Sequence, residues 1–174
     1  MMMMRKKTII MTTRKEDGNF IGHQTSLLEG MKAPDFEVKD QRGSTVRLSD
    51  FAGKMLVLYF YPKDDTPTCT QQACNLRDDY NKLIEKGYTV LGVSGDDEKS
   101  HQKFIKKFDL HYSLLADTEM KMIHDYDVWG TKMLFGRILD GIVRTTFIID
   151  ELGTIRHVIK DVESKRHVGQ ILGL

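Results

Sequence analysis

The sequence predicts one α/β domain in which a mixed β-sheet lies between two layers of helices. Two solid apolar runs, residues 55–61 and 89–94, are typical of buried strands. Each run is followed by a segment whose apolar residues recur with helical spacing. Near the C-terminus, residues 145–150 and 154–159 predict an antiparallel hairpin across Glu151-Leu152-Gly153. Strands that alternate with helices and then end in a hairpin predict a three-layer fold with a mixed sheet.

The first elements are a short hairpin and the helix that follows the first buried strand. Phe36-Glu37-Val38 and Val46-Arg47-Leu48 flank Gly43, which favours a turn between two short strands. After the strand at 55–61 a helix is predicted, because apolar positions keep helical spacing. These positions are Cys69, Ala73, Leu76, Tyr80, Leu83 and Ile84.

The smaller elements follow the second buried strand. Asp96-Asp97 predicts the cap of a helix that turns Phe104, Ile105 and Phe108 inward. The remaining predicted elements are a short strand at 112–115, a short helix at 121–126 and a terminal helix at 168–172.

Residues 62–74 are the most informative part of the chain, because they hold its only two cysteines, Cys69 and Cys74, and two of its three prolines. Thr66 precedes Pro67, and this pair predicts a helix start with Thr66 as N-cap and proline in the first helical position. Cys69 is then the third helical residue, where backbone N–H groups are unpaired. These donors and the helix dipole stabilise an anion, so we expect the Cys69 thiol to ionise more readily than a free one.

A helix terminus alone does not make a thiol strongly acidic. A free cysteine titrates near ~8.5, and moving that to ~6 requires about 3.4 kcal/mol of preference for the anion. A helix N-terminus supplies ~0.3–1 kcal/mol, or up to ~2 when partly buried. A cation is therefore expected beside Cys69. Arg144 is the first candidate because it begins an apolar strand, although the pattern alone also fits an arginine that reaches solvent. Lys63 and Arg137 come next.

The spacing of Pro62, Thr66 and Cys69, Pro-x-x-x-Thr-x-x-Cys, resembles the active-site signature of the peroxiredoxins. Cys74, five residues after Cys69, makes the resemblance closest to the bacterioferritin-comigratory or peroxiredoxin Q branch. The resemblance extends in order from about Gly30 to the C-terminus. Its further segments are 30–36, 100–104, 113–117, 128–130, 140–142 and 144–150.

This resemblance implies a thioredoxin-like fold and a thiol-dependent peroxidase that reduces hydrogen peroxide and organic hydroperoxides. Cys69 would form a sulfenic acid, and Cys74 would convert it to an intramolecular disulfide. Arg144 would hold the thiolate and the peroxide, the Thr66 hydroxyl would face the peroxide, and Pro62 would shield the thiolate from water. Thioredoxin or a similar dithiol would reduce the disulfide, and no metal or organic cofactor is expected.

Two positions depart from the usual pattern of this family. Thr68 stands where glycine is common, and Gln72 stands where many peroxiredoxins carry glutamate. Neither change removes a reacting group, and whether either residue alters the mouth of the pocket stays open at this point.

Three other functions compete with the peroxidase interpretation. A thiol–disulfide oxidoreductase of thioredoxin-like fold places its cysteines as Cys-x-x-Cys, whereas the spacing here is Cys-x4-Cys. A copper-binding assembly protein of the same fold requires Cys-x3-Cys and a distal histidine. A purely structural protein with an incidental disulfide is the last of the three. The rate of peroxide loss with a thioredoxin system separates all of these.

Composition limits the partners and the location. The 174 residues carry a net charge of +1 with mixed signs, so no nucleic acid or acidic lipid partner is expected. Residues 1–29 are predicted to be a flexible tail, with a mis-set start codon as the alternative, and 30–174 the folded domain. No segment predicts a membrane span or a signal peptide. We expect a cytoplasmic monomer or weak homodimer. Of six scattered histidines, His157 is expected nearest the core, with no function.

Overall fold

The computed structural model describes residues 22–174. Its strands are β1 (Glu37–Lys39), β2 (Thr45–Arg47), β3 (Met55–Phe60), β4 (Tyr88–Ser94), β5 (Ser113–Ala116), β6 (Trp129–Leu134), β7 (Arg137–Ile142), β8 (Thr145–Ile149) and β9 (Ile155–Ile159). Its α-helices are α1 (Pro67–Asp78), α2 (Tyr80–Glu85), α3 (Glu98–Phe108), α4 (Lys121–Asp125) and α5 (His167–Leu172), with a short 3₁₀ helix at Leu48–Phe51. No helix among the described residues is long and apolar enough to span a bilayer.

The central sheet has five strands in the order β5-β4-β3-β8-β9. Strands β5, β4 and β3 run parallel, whereas β8 pairs antiparallel with both β3 and β9. Parallel neighbours require crossover connections, and helices α1 to α3 provide them along the chain. The predicted mixed sheet and its C-terminal hairpin are confirmed.

Helices and loops cover both faces of this sheet, as the alternation of side chains along β3 shows. Leu56, Leu58 and Phe60 point to one face, where they pack in a cluster that includes residues of α4. Val57 and Tyr59 point to the other face. Their cluster includes Cys69, Ala73 and Leu76 of α1, Leu83 of α2, Phe104 of α3, and Val168 and Ile171 of α5. The three-layer prediction is therefore confirmed.

The helix predicted after β3 is divided in the structure. It ends at Asp78, and a second helix starts at Tyr80, because Asp79 between them has φ −110° and ψ 21°. The predicted cap of α3 is confirmed: the Asp97 side chain accepts a hydrogen bond of 2.8 Å from the Ser100 N–H.

One hairpin was missing from the sequence prediction. Strands β6 and β7 pair antiparallel across a two-residue turn, Phe135-Gly136, whose φ angles are both positive. Most side chains of this hairpin are exposed or half-buried, so its sequence lacks the buried face that period-two patterns detect. Phenylalanine is also unusual at a left-handed turn position, which hid the turn signal.

The end of the predicted tail lies against the domain. The His23 N–H donates to Thr131 O at 2.8 Å, and the Thr25 hydroxyl donates to Tyr126 O at 2.7 Å. Thr25 is buried, so the packed part of the chain begins before the predicted boundary at residue 30. The rest of the predicted tail, residues 1–21, lies outside the described residues.

Candidate active site

The first cysteine follows the end of a core strand by one short loop. β3 ends at Phe60, and α1 begins at Pro67 with Thr66 in the N-cap position, as predicted. The Thr66 carbonyl accepts the first helical hydrogen bond, 2.8 Å from the Thr70 nitrogen. The Thr66 side chain caps no helix N–H; its hydroxyl donates instead to Lys63 O at 2.9 Å. Thr66 is therefore the N-cap by its backbone, whereas its hydroxyl bonds to a carbonyl of the loop.

Arg144 lies against Cys69. In the antiparallel pairing of β3 with β8, Phe60 faces Thr145, so the residue before β8 comes next to the loop that leads into α1. Arg144 Nη2 is 3.3 Å from Cys69 Sγ, and Cys69 is only 3% exposed. A guanidinium at this distance, together with the helix N-terminus, favours the thiolate.

The second cysteine lies on the same helix and is half-buried, and both thiols are free. Residues five apart on an α-helix differ by about 140° in direction. Cys69 and Cys74 therefore do not face each other while α1 is intact. Pro62 is half-buried in the loop between β3 and α1.

The loop before α1 is held to α3 by a buried carboxylate. Asp64 accepts hydrogen bonds from the Tyr61 hydroxyl at 2.5 Å and the Ser100 hydroxyl at 2.8 Å. Its Oδ2 is also 2.7 Å from His101 Nδ1, and its backbone N–H donates to Asp96 Oδ2 at 2.8 Å. Asp64, Asp96 and His101 have the donor types of a metal site. Protein donors already occupy these carboxylates, so the group acts as a tether of the loop.

His101 shares a proton with Asp64. Its Nε2 is 2.9 Å from Leu115 O, a carbonyl that only accepts, so Nε2 carries hydrogen. Burial lowers the pKa of His101, but the hydrogen bond and charge of Asp64 outweigh this effect, and the net shift is upward. The pair therefore keeps its proton where a free histidine loses it.

Comparison with known proteins identifies the family. Residues 30–158 match the AhpC/TSA family. Peroxiredoxin Bcp of Bacillus subtilis is 46% identical over 143 residues, which cover 82% of this chain and 91% of the relative. The chain belongs to the AhpC/TSA family. It is a thiol-dependent peroxidase, in the branch of peroxiredoxin Bcp and peroxiredoxin Q.

Solved structures of this branch share the fold. A serine-for-cysteine mutant of PrxQ from Xylella fastidiosa superimposes with a TM-score of 0.80 at 27% identity, over 86% of this chain and 96% of the other. The bacterioferritin comigratory protein of Xanthomonas campestris gives a TM-score of 0.75 at 29% identity, over the same shares of the two chains. That structure was used to study alkyl peroxide reduction through trapped intermediate and ligand complexes. The thioredoxin-like fold expected from the sequence is therefore confirmed.

In this peroxiredoxin a second cation lies near the site and was missed from the sequence. Lys132 of β6 donates to Ile142 O at 3.0 Å and crosses Gly141, where a Cβ would lie only 2.9 Å from Lys132 Cε. Burial and the Arg144 charge lower the pKa of Lys132, while Cys69 opposes this shift. Lys132 was missed because it belongs to the hairpin β6–β7, which the sequence did not predict.

The histidine prediction was also wrong. His101 and His167 are buried, whereas the His157 side chain is 40% exposed and lies 3.4 Å from Glu29. His167 contacts Gln72, one of the two residues that depart from the family pattern, with 3.1 Å between Gln72 Nε2 and His167 Nδ1. Scattered single histidines carry no periodic signal, so sequence reasoning had no means to choose between them.

Proposed function

We propose that Cys69 is the residue that reacts with peroxide and that Cys74 resolves the product. The observation that carries this proposal is the position of Cys69 Sγ, buried in the first turn of α1 and 3.3 Å from Arg144 Nη2. An activated thiolate needs a cation and backbone donors in a site with little water, and these three features meet only at Cys69 among the two cysteines.

In the first step the Cys69 thiolate attacks the terminal oxygen of a hydroperoxide. A sulfur–oxygen bond forms and the O–O bond breaks, so sulfur is oxidised to a sulfenic acid and the peroxide is reduced. The leaving oxygen takes up a proton and departs as water or an alcohol. Arg144 donates to sulfur and to the developing negative charge on oxygen, because its planar group presents several N–H donors.

In the second step the Cys74 thiol attacks the sulfur of the Cys69 sulfenic acid. The disulfide forms and one water molecule leaves. An external dithiol then supplies two electrons and two protons, which restores both thiols. We propose thioredoxin, or a similar small dithiol protein, as this reductant.

Pro62 and Thr66 have supporting roles in this proposal. The Thr66 hydroxyl donates its proton to Lys63 O, which leaves its oxygen lone pairs free to accept a hydrogen bond from the O–H of the peroxide. Pro62 has no N–H and presents an apolar ring, so it limits the access of water to the thiolate.

Two serine variants test the assignment of the cysteines. Cys69→Ser should abolish peroxide turnover with a thioredoxin system, because serine is not ionised at neutral pH. Cys74→Ser should still allow one fast oxidation, after which Cys69 stalls or becomes over-oxidised. Turnover and the mass of the reacted protein report the two results. Near-normal turnover by Cys69→Ser would falsify the proposal.

Other expectations stay predictions from the sequence. They are the absence of a metal or organic cofactor, a cytoplasmic location, a monomer or weak homodimer, and the absence of nucleic acid and membrane partners. The flexible tail also stays a prediction for residues 1–21.

A further inference from the structure

A series of hydrogen-bonded polar side chains leads from Arg144 into the core. Arg144 Nη1 donates to Gln72 Oε1. Gln72 Nε2 lies 3.1 Å from His167 Nδ1, and His167 Nε2 lies 2.9 Å from Thr146 Oγ1. Gln72, His167 and Thr146 are all buried with 0% exposure. Polar groups so deep in the protein must satisfy one another, because no water reaches them.

Arg144, the charged residue at one end of this series, fixes the direction of each hydrogen bond in it. Arg144 has only N–H donors, so the Gln72 atom that faces it must be the carbonyl oxygen. The Gln72 amide group then turns its N–H donors toward His167, whose Nδ1 must accept. His167 is therefore neutral, with its proton on Nε2, and it donates to the Thr146 hydroxyl oxygen.

The surroundings of His167 keep it in that form. Burial, followed by the nearby charge of Arg144, lowers the pKa of His167 to about 3. The Tyr59 ring packs edge-on against His167, with 5.7 Å between the ring centroids. Burial raises the pKa of Tyr59, so it stays neutral too.

We propose that His167 is a positioning residue for peroxide reduction: it fixes the amide orientation of Gln72, and thereby holds Arg144 against Cys69. This inference rests on the proposed function of Cys69. Without an acceptor at His167 Nδ1, the Gln72 amide can rotate and present N–H donors to the guanidinium, which has no acceptor. Arg144 then loses the partner that fixes its side chain beside the sulfur.

The C-terminal helix therefore has a part in the chemistry as well as in packing. His167 is the first residue of α5, 95 positions after Gln72 in the chain. A separate clip also joins α5 to α1: Asn75 Oδ1 accepts from the Val168 N–H at 2.9 Å, and Asn75 Nδ2 donates to Lys165 O at 3.0 Å. Neither of these hydrogen bonds involves Arg144, so Asn75 provides a matched control for the loss of packing alone.

The test measures the first oxidation of reduced Cys69 by hydrogen peroxide, and the pH profile of Cys69 alkylation in the Cys74→Ser background. His167→Phe should slow the oxidation roughly tenfold, the loss expected when the support of one charged hydrogen bond is removed. It should also move the midpoint of alkylation to higher pH. His167→Asn should retain most of the rate, because its side chain offers an acceptor oxygen near the position of Nδ1.

Two further variants separate positioning from packing. Asn75→Ala should lower the denaturation midpoint but leave the oxidation rate and the alkylation profile unchanged. Gln72→Leu combined with His167→Phe should be no slower than Gln72→Leu alone, because both act through Arg144. If His167→Phe does not fold, Thr146→Val carries the test: it removes the acceptor of Nε2–H and should also slow oxidation.

Wild-type oxidation and alkylation by His167→Phe, or by Thr146→Val in its place, would overturn the proposal. A loss in His167→Phe that Asn75→Ala reproduces in both measurements would overturn it as well. Failure of the proposed function looks different. In that case the parent protein itself forms no sulfenic acid at Cys69 with peroxide.

Discussion

At the scale of the residue, the proposed reactivity of Cys69 depends on one contact, between its Sγ and the guanidinium of Arg144. The thiol alone is a weak nucleophile at neutral pH, because only a small fraction is ionised. The guanidinium 3.3 Å away and the start of α1 both favour the anion, and burial of the thiol keeps water from screening them. The backbone donors at a helix start are fixed, whereas the arginine depends on its own partners for its position.

Arg144→Ala should therefore move the midpoint of Cys69 alkylation to higher pH, because the positive charge beside the sulfur is removed. Peroxide oxidation should slow, while the circular dichroism spectrum stays that of a folded protein. Arg144→Lys should recover part of the effect, because it restores charge but not the planar group. Arg156→Ala, which removes a largely exposed arginine from β9, is the matched control. An unchanged alkylation profile in Arg144→Ala would point to Lys132 as the governing cation.

At the scale of the element, α1 carries both cysteines of the proposed cycle and holds them apart. Cα atoms five residues apart on a helix are roughly 8.6 Å apart, beyond the ~7 Å limit for a disulfide. The structure places both cysteines on one continuous helix, so the proposed attack of Cys74 on a Cys69 sulfenic acid requires α1 to unwind first. Gln72 lies within that segment, and unwinding also breaks its contacts with Arg144 and His167.

We predict that the disulfide form loses amide protection over residues 69–76 and at the start of α5. The second loss is expected because the Val168 N–H bonds to Asn75, which moves with the unwound helix. Hydrogen exchange followed by mass spectrometry on the reduced and oxidised protein measures both. Protection in α3 should not change, which provides an internal control. Equal protection of residues 69–76 in the two forms would contradict the prediction.

At the scale of the whole molecule, the free energy of unfolding depends on two buried histidines, His101 and His167. Their contributions change with pH in opposite directions. The pKa of His101 is raised in the folded state, so its contribution is complete below about 6.5 and is lost as the pH rises through the folded value. The pKa of His167 is lowered to about 3, so the unfolded chain binds a proton that the folded chain does not. Its contribution is lost as the pH falls below about 6.5.

His167→Asn should therefore change the acid side of the stability curve. Between pH 7 and pH 5, His167 removes about 2 kcal/mol from the free energy of unfolding of the wild type, given its low folded pKa. Over this interval the free energy of unfolding of the variant should fall by about 2 kcal/mol less than that of the wild type. Urea unfolding of the reduced proteins at pH 5, 6 and 7 measures the difference. Parallel stability curves for the two proteins would contradict it.

The sequence by itself determined the layers of the fold, the strand–loop–helix unit around Cys69 and the family. Apolar runs, proline positions and caps are local properties, because each depends on residues a few positions apart. Arg144 could be predicted as the cation beside Cys69, because a charged residue at the start of an apolar strand needs a partner. The hairpin β6–β7 has no apolar pattern that predicts it, because neither of its faces is fully buried.

Only the tertiary structure decided which distant polar groups meet around the thiol. Gln72, Thr146 and His167 are far apart in the chain, and they converge because β3 pairs with β8 while α5 packs on α1. Hydrogen bonds between such residues have no periodicity to reveal them. Their donors and acceptors are assigned only when every neighbour is known, because a buried polar atom must find its partner within the fold.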